Sequence, residues 1–327
     1  MKRFNNLLVI GVDCGNYNIK TESSCFVSGY IGVGKESTFS DKLEYDGEYY
    51  ALSRQRLKIR RDKADKDFLI LSLFAIAKEL EHNKMPSDVY DVALAVGLPP
   101  EFIGKMELKE KLRKFYQGEW LFSYNGTEYA VNISSVFVCP QNFAGAMAYV
   151  QTDEMKRLNN AVIRRPYDIL RGEPECLLFD LGGGTLDVVG LQNGLPVPEY
   201  HISLPEGVIN LYNDINSSIR SRTGRELSET LISSVLLGTP NRVSDDDVKV
   251  IRSSLNEYTS KLLLTLDEYR LPFRGSYNLV MGGGADLIKR SWQEQGCFGK
   301  LDFLSDIHAN AMGFEEMALQ ALSQQVT

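Results

Sequence analysis

At 327 residues, 43% hydrophobic and 24% charged, the chain can bury a sizeable core, points to about two domains and excludes a disordered composition. A net charge of −7 argues against a broad nucleic-acid surface. The five cysteines (Cys14, Cys25, Cys139, Cys176, Cys297) are odd in number and form no CxxC, which fits a reducing cytosol better than a disulfide framework.

The apolar run at Leu7-Leu8-Val9-Ile10 is too short for a signal sequence or a membrane span, and nothing later reaches the eighteen or so apolar residues of a span. A cytoplasmic protein without a membrane partner is expected. Leu7 to Val12 reads as a buried strand feeding the turn Asp13-Cys14-Gly15-Asn16. Residues 30–61 read as short strands dotted with glycine and tyrosine, ending in a basic stretch. Asp65 or Asp67 is expected to cap a helix over 68–81. The run 92–96, closed by Gly97-Leu98-Pro99-Pro100, is a second buried strand, and a charged helix follows near 104–117. Asn125-Gly126-Thr127 joins two runs into a hairpin, because Asn-Gly favours the left-handed dihedrals of a tight turn. A strand over 136–139 stops at Pro140-Gln141, a helix spans 143–162, and the polar stretch 164–175 separates a second half.

That half opens on Leu177-Leu178-Phe179-Asp180, another strand-to-turn junction. Ser244 followed by Asp245-Asp246-Asp247 starts a long helix; aspartates in a first turn complement the helix dipole and need no metal. A strand at 278–281, a glycine turn and a helix from about 308 close the chain. Strands alternating with helices predict mostly parallel α/β sheets. His82, His201 and His308 lack ligand spacing, so no zinc site is expected.

Two segments repeat. Asp13-Cys14-Gly15 and Asp180-Leu181-Gly182 each close an apolar strand, and a charged residue falls seven positions after each aspartate, Lys20 and Asp187. Glycine lets backbone N–H groups approach phosphate oxygens. A strand-end carboxylate can hold Mg²⁺ through its waters, and Lys20 supplies positive charge for phosphates. A third glycine run, Gly282-Gly283-Gly284, follows a late strand. The segment Gly29 to Glu36 approaches the GxxxxGK[ST] pattern, but Glu36 stands at the metal-binding Ser/Thr position, so it is read as a strand and loop.

Together these segments resemble the actin, heat-shock-chaperone and sugar-kinase superfamily. Asp13, Gly15, Asn16, Asn18 and Lys20 look like its first phosphate loop, and Asp180 with Gly182, Gly183, Gly184 and Thr185 like its second. Gly282, Gly283 and Gly284 look like its adenosine motif. Segments 138–146 and 308–313 look like its two connecting segments. The narrower likeness is to plasmid-segregation actins of the ParM/StbA type and archaeal-style actins, carried by Gly97-Leu98-Pro99, the Asn-Gly hairpin and Pro140-Gln141. The resemblance implies an α/β actin-like fold: two ribonuclease-H-like domains with a nucleotide cleft between them. Domain I is expected over 1–163, with a small insert at about 30–90, completed by the helix at about 308–327. Domain II is expected over 164–307.

The resemblance further implies an ATPase that polymerises on binding ATP with Mg²⁺ and hydrolyses it, for plasmid segregation through a DNA-binding adaptor rather than by direct DNA contact. Gln141 and Asp180 are the expected catalytic residues, Gln141 orienting the attacking water. Some segregation actins have glutamate at this position. Asp13 and Asp180 are expected to hold the metal through water. Glu206, Gly207, Asn210 and Arg225 resemble the nucleoside-contacting region. A small-molecule kinase of the same superfold, or a nucleotide-binding scaffold filament with little turnover, are the alternatives. The basic stretch Arg54 to Arg61 is read as solvated surface or an inter-subunit contact.

Overall fold

The computed structural model describes residues 1–60, 62–84, 89–149 and 173–325. The chain divides into two compact units, residues 1–160 with 307–327, and residues 161–306. The expected boundary at 163/164, residues 164–172 of the polar stretch and residues 150–162 of the helix expected over 143–162 lie outside the described residues, as does Arg61.

In the first unit the strands are β1 (Lys2–Phe4), β2 (Leu7–Cys14), β3 (Asn18–Lys20), β4 (Cys25–Val27), β5 (Tyr30–Val33), β6 (Lys42–Tyr45), β7 (Glu48–Leu52), β8 (Tyr90–Leu98), β9 (Gly118–Tyr124) and β10 (Thr127–Pro140). They form one ten-stranded sheet ordered β4-β3-β2-β8-β10-β9-β6-β7-β5, with β1 on β2. The helices described here are α1 (Lys66–His82), α2 (Pro100–Ile103), α3 (Met106–Tyr116) and α4 (Phe143–Tyr149); a long helix at 309–325 completes the unit.

β2 is apolar on both faces because both are covered. Leu8, Ile10 and Val12 pack in the cluster that holds Phe68, Leu71 and Phe74 of α1, while Val9 packs with Phe314, Ala318 and Leu322 of the C-terminal helix. Within the interval 30–90, β5–β7 extend the sheet, whereas α1 packs on β2. Asp65 caps α1, its carboxylate accepting from the Phe68 N–H. Asn125 and Gly126 take φ of 50° and 83°, the signs that a tight hairpin turn needs. The two strands expected over 128–133 and 136–139 are one strand, β10. The Ser134-Ser135 break is a register irregularity against β8, and the pairing resumes beyond it.

In the second unit β11 (Glu175–Leu181), β12 (Leu186–Gln192), β13 (Leu195–Leu204), β14 (Tyr277–Met281) and β15 (Lys300–Phe303) form a sheet ordered β13-β12-β11-β14-β15. Its described helices are α5 (Val208–Thr223), α6 (Glu229–Leu236), α7 (Asp245–Glu268) and α8 (Ala285–Gln295), and the C-terminal helix of the first unit becomes α9 (Ala309–Gln325). Ser244 caps α7, its hydroxyl accepting from the Asp247 N–H.

The two sheets share a five-strand plan. β2 pairs antiparallel with β3, β3 antiparallel with β4, β2 parallel with β8, and β8 parallel with β10. β11 pairs antiparallel with β12, β12 antiparallel with β13, β11 parallel with β14, and β14 parallel with β15. The repeated Asp-x-Gly of the sequence thus marks a repeated α/β topology. No described helix is long and apolar enough to cross a membrane.

Candidate functional site

In the first unit, Asp13 is the penultimate residue of β2, and the chain returns through Gly15 into β3 at Asn18. The register pairs Asp13 with Lys20, so the seven-residue offset in the sequence is the span of a hairpin. Asp13 is buried, and its two carboxylate oxygens have separate partners. Lys20 Nζ lies 3.3 Å from Oδ2, and Gln141 Nε2 donates to Oδ1 at 2.9 Å. Gln141 reaches Asp13 because its backbone N–H is fixed on the Leu98 carbonyl (3.0 Å) where β10 leaves β8. Its side chain then crosses Gly97, where a Cβ would stand 2.8 Å from Gln141 Cγ and would also strike the Phe314 ring. The Asn16 side-chain amide is joined to the backbone of Arg60.

In the second unit, the same hairpin carries Asp180 opposite Asp187. The turn is closed by Gly182 N–H to Thr185 O (2.9 Å), and Thr185 Oγ1 donates to Asp187 (2.9 Å). The start of α5 sits directly on this turn, with Val208 N–H on Gly182 O (3.1 Å) and Ile209 N–H on Gly183 O (3.0 Å). The third glycine run comes to the same place. Gly284 N–H donates to Leu181 O (2.9 Å), and Gly282 has φ of 93° with its α-carbon so close to Asp180 that a Cβ would meet the carboxylate. Gly182, Gly183, Gly184, Thr185, Gly207, Gly282, Gly283 and Gly284 therefore converge on one end of this sheet. Backbone N–H groups at a glycine turn beside a helix N-terminus favour an anion.

Glu206 and Asn210 flank that helix start. Lys261 Nζ donates to Glu206 Oε1 (2.8 Å), Tyr258 Oη to the Glu206 carbonyl (2.7 Å), and Asn210 Nδ2 to the Pro205 carbonyl (2.7 Å). Sequence reasoning missed Tyr258 and Lys261; their spacing of three places both on one side of α7. Arg225 is not brought to the turn. It follows the left-handed Gly224 at the far end of α5, roughly 24 Å of helix away, and pairs with Asp247 at 3.4 Å.

The basic stretch differs from its reading as solvated surface. Arg60 has a side chain only 13% exposed, bonded to Asp67 at 2.7 Å and lying over the Phe68 ring. Arg56 stacks on Tyr17, 4.4 Å from the ring centroid. Asp65, Asp67 and Phe68 at the start of α1 draw Arg60 inward and Tyr17 of the first hairpin draws Arg56, while Arg54 and Lys58 are exposed, as read.

Among the described residues no group of three or more His, Cys, Asp or Glu is placed to hold a metal. Mg²⁺ keeps most of its waters and takes only one or two carboxylates beside phosphate oxygens, so a single strand-end carboxylate in either unit is chemically suited to it. Asp13 and Asp180, each at a strand end beside a glycine turn, are of that kind.

Duplicated sheets, each ending in an acidic hairpin with glycine turns, define an actin-like α/β fold. Residues 11–143 match the family model for the N-terminal domain of actin-like proteins. The chain is similar in structure to the apo psk41 ParM protein, with 17% identity, 98% of this chain and 99% of that one covered, and a TM-score of 0.71. It is likewise similar to the archaeal actin homologue Ta0583 in complex with ADP (18% identity, 96% and 100% covered, TM-score 0.71). Bacillus thuringiensis ParM with ATP is a further match (14% identity, 99% and 100% covered, TM-score 0.66). No curated protein sequence matches the chain. The expected actin-like fold is borne out, and residues 11–143 are similar to the N-terminal domain of actin-like proteins.

Proposed function

We propose that this chain is an ATPase that binds ATP with Mg²⁺ through both acidic hairpins, assembles into filaments with its own copies, and disassembles after hydrolysis. The observation that carries the reading is the buried Asp13 held between Lys20 and Gln141 (3.3 and 2.9 Å), with a second hairpin of the same plan at Asp180. Among the structural neighbours are an ADP complex, an ATP complex and a filament, that of Alp12.

Bound Mg²⁺ would neutralise charge developing on the phosphates. Asp13 and Asp180 would hold it through water, and Lys20 and the glycine N–H groups would bind phosphate oxygens. Gly282 to Gly284, with Glu206, Gly207 and Asn210, would take the nucleoside, whereas Arg225, at the far end of α5 and paired with Asp247, is not given that role. Gln141 has no useful basicity. With Nε2 committed to Asp13, its Oε1 is the atom left to accept a hydrogen from the attacking water and orient it. We assign the filament to plasmid segregation in the cytoplasm, with DNA reached through an adaptor protein.

Light scattering and phosphate release, followed together after adding ATP and Mg²⁺, test this. Scattering with turnover supports it. Turnover only with an added acceptor would indicate a small-molecule kinase, and scattering without turnover a scaffold filament.

A further inference from the structure

Residues 53–60, between β7 and α1, form a strap bent at 54–55 whose backbone is bonded to Gly29 and Ser28 (Ser53 N–H, 2.9 Å; Leu57 N–H, 3.0 Å) and, at Arg60, to the first hairpin. Asn16 Nδ2 donates to the Arg60 carbonyl at 3.0 Å, and the Arg60 N–H donates to Asn16 Oδ1 at 2.9 Å. A primary amide offers one donor and one acceptor on a single edge, so it can pair with an extended residue as a neighbouring strand would. Aspartate at this position could only accept. Two more contacts reach the hairpin, one from the strap and one from Lys63 just beyond it. Lys63 Nζ donates to the carbonyl of Cys14, the last residue of β2, and Arg56 stacks on Tyr17. On its far side the strap is anchored by the Arg60 guanidinium to Asp65 (3.4 Å) and Asp67 (2.7 Å). Residues 16 and 17 of the hairpin are thus joined to the strap at Arg60 and Arg56, and residue 14 to Lys63.

We propose that Asn16 is a positioning residue, clamping the strap to the first hairpin so that the strap is ordered when that hairpin holds phosphate and loosened when it does not. This rests on the reading that the first hairpin takes the phosphates of ATP. Coupling between two sites is reciprocal: the factor by which the clamp tightens ATP binding is the factor by which ATP stabilises the clamp. Two backbone hydrogen bonds support a factor on the order of tenfold.

The test is hydrogen exchange of the amides in 54–60, Arg60 above all, with and without saturating ATP and Mg²⁺, beside the affinity for a fluorescent ATP analogue. In the wild-type chain ATP is expected to slow this exchange about tenfold. In Asn16→Ala the slowing disappears even at saturation, and affinity falls by a similar factor. Lys63→Met, which removes the ammonium that donates to the Cys14 carbonyl, is expected to weaken both effects in the same proportion and keeps the test open should Asn16→Ala misfold. If the wild-type chain binds the analogue but its strap exchanges at the same rate, the coupling is wrong and the ATP reading stands. Equal slowing in Asn16→Ala and wild type overturns it too. No binding by the wild-type chain overturns both.

Discussion

Gln141 donates its side-chain amide to the carboxylate of Asp13 at 2.9 Å, passing over the bare α-carbon of Gly97. Both ends are set by strands: Asp13 by β2 and Gln141 by the end of β10, each pairing with β8.

The first prediction follows from that crossing. Gly97→Ala puts a methyl against Gln141 and the buried Phe314 ring, an overpacking that costs about 1–3 kcal/mol of stability. Turnover is expected to fall as Gln141 is displaced. Adding Phe314→Leu should restore most of the melting temperature but not the phosphate release, because only one of the two clashes is relieved. Full recovery of both in the double variant would show that Gln141 was never moved.

Burial supplies the second. Glu315 of α9 accepts from the Gly11 N–H at 3.0 Å, 3.2 Å from the Met1 amino group, with Glu22 and Glu79 also facing that amine. Burial pushes its carboxyl up from 4.5 to about 7, the nearby amine offsetting part of the effect. The folded state therefore binds a proton more tightly than the unfolded one. Stability is lost as pH rises from about 4.5 to about 7, by up to ~3 kcal/mol. Glu315→Gln resembles the protonated acid. Its denaturation midpoint should match wild type near pH 4 and exceed it at pH 8; parallel curves across that range would contradict the assignment.

The cysteines give a third. Cys14, Cys139 and Cys176 are buried, and burial pushes Cys139 and Cys176 up to about 12, whereas Cys25 is exposed on β4. Ellman's reagent at pH 8 should react first with Cys25, then with the half-buried Cys297, and with the other three only in denaturant. Rapid native reaction at Cys139 would mean that the packing of β10 against α9 opens readily.

What could be read in the sequence was local or repeated. The offset from Asp13 to Lys20 recurs from Asp180 to Asp187 because it is the register of a hairpin, and registers are short-range. The caps Asp65 and Ser244 and the Asn125-Gly126 turn are likewise settled within a few residues. The Asn16–Arg60 clamp spans 44 residues and the Tyr258–Glu206 bond 52, so both depend on how elements are stacked, which periodicity does not encode. For the same reason Arg54 to Arg60 looked like a solvated charge run: the acids that capture Arg60 belong to the next helix. Ser134-Ser135 misled in the other direction, since a polar pair inside a strand is locally indistinguishable from its end.

The last prediction concerns Gln141 itself. In Gln141→Ala, Asp13 loses one partner and keeps Lys20 at 3.3 Å, so the hairpin should still take ATP and the chain should still assemble. Turnover is expected to fall roughly tenfold to a thousandfold, the size of one lost positioning interaction. Filaments formed by this variant should persist after wild-type filaments have gone. Gln141→Glu separates geometry from charge. It would set a second carboxylate against Asp13, where two like charges at hydrogen-bond distance favour uptake of a proton. Its turnover should therefore be more depressed at pH 8 than at pH 6, while the alanine variant follows the wild-type pH profile. Sedimentation over time, with phosphate release measured in the same tube, decides both. Wild-type turnover in Gln141→Ala would mean that another group places the water, leaving Gln141 only as the donor that steadies Asp13.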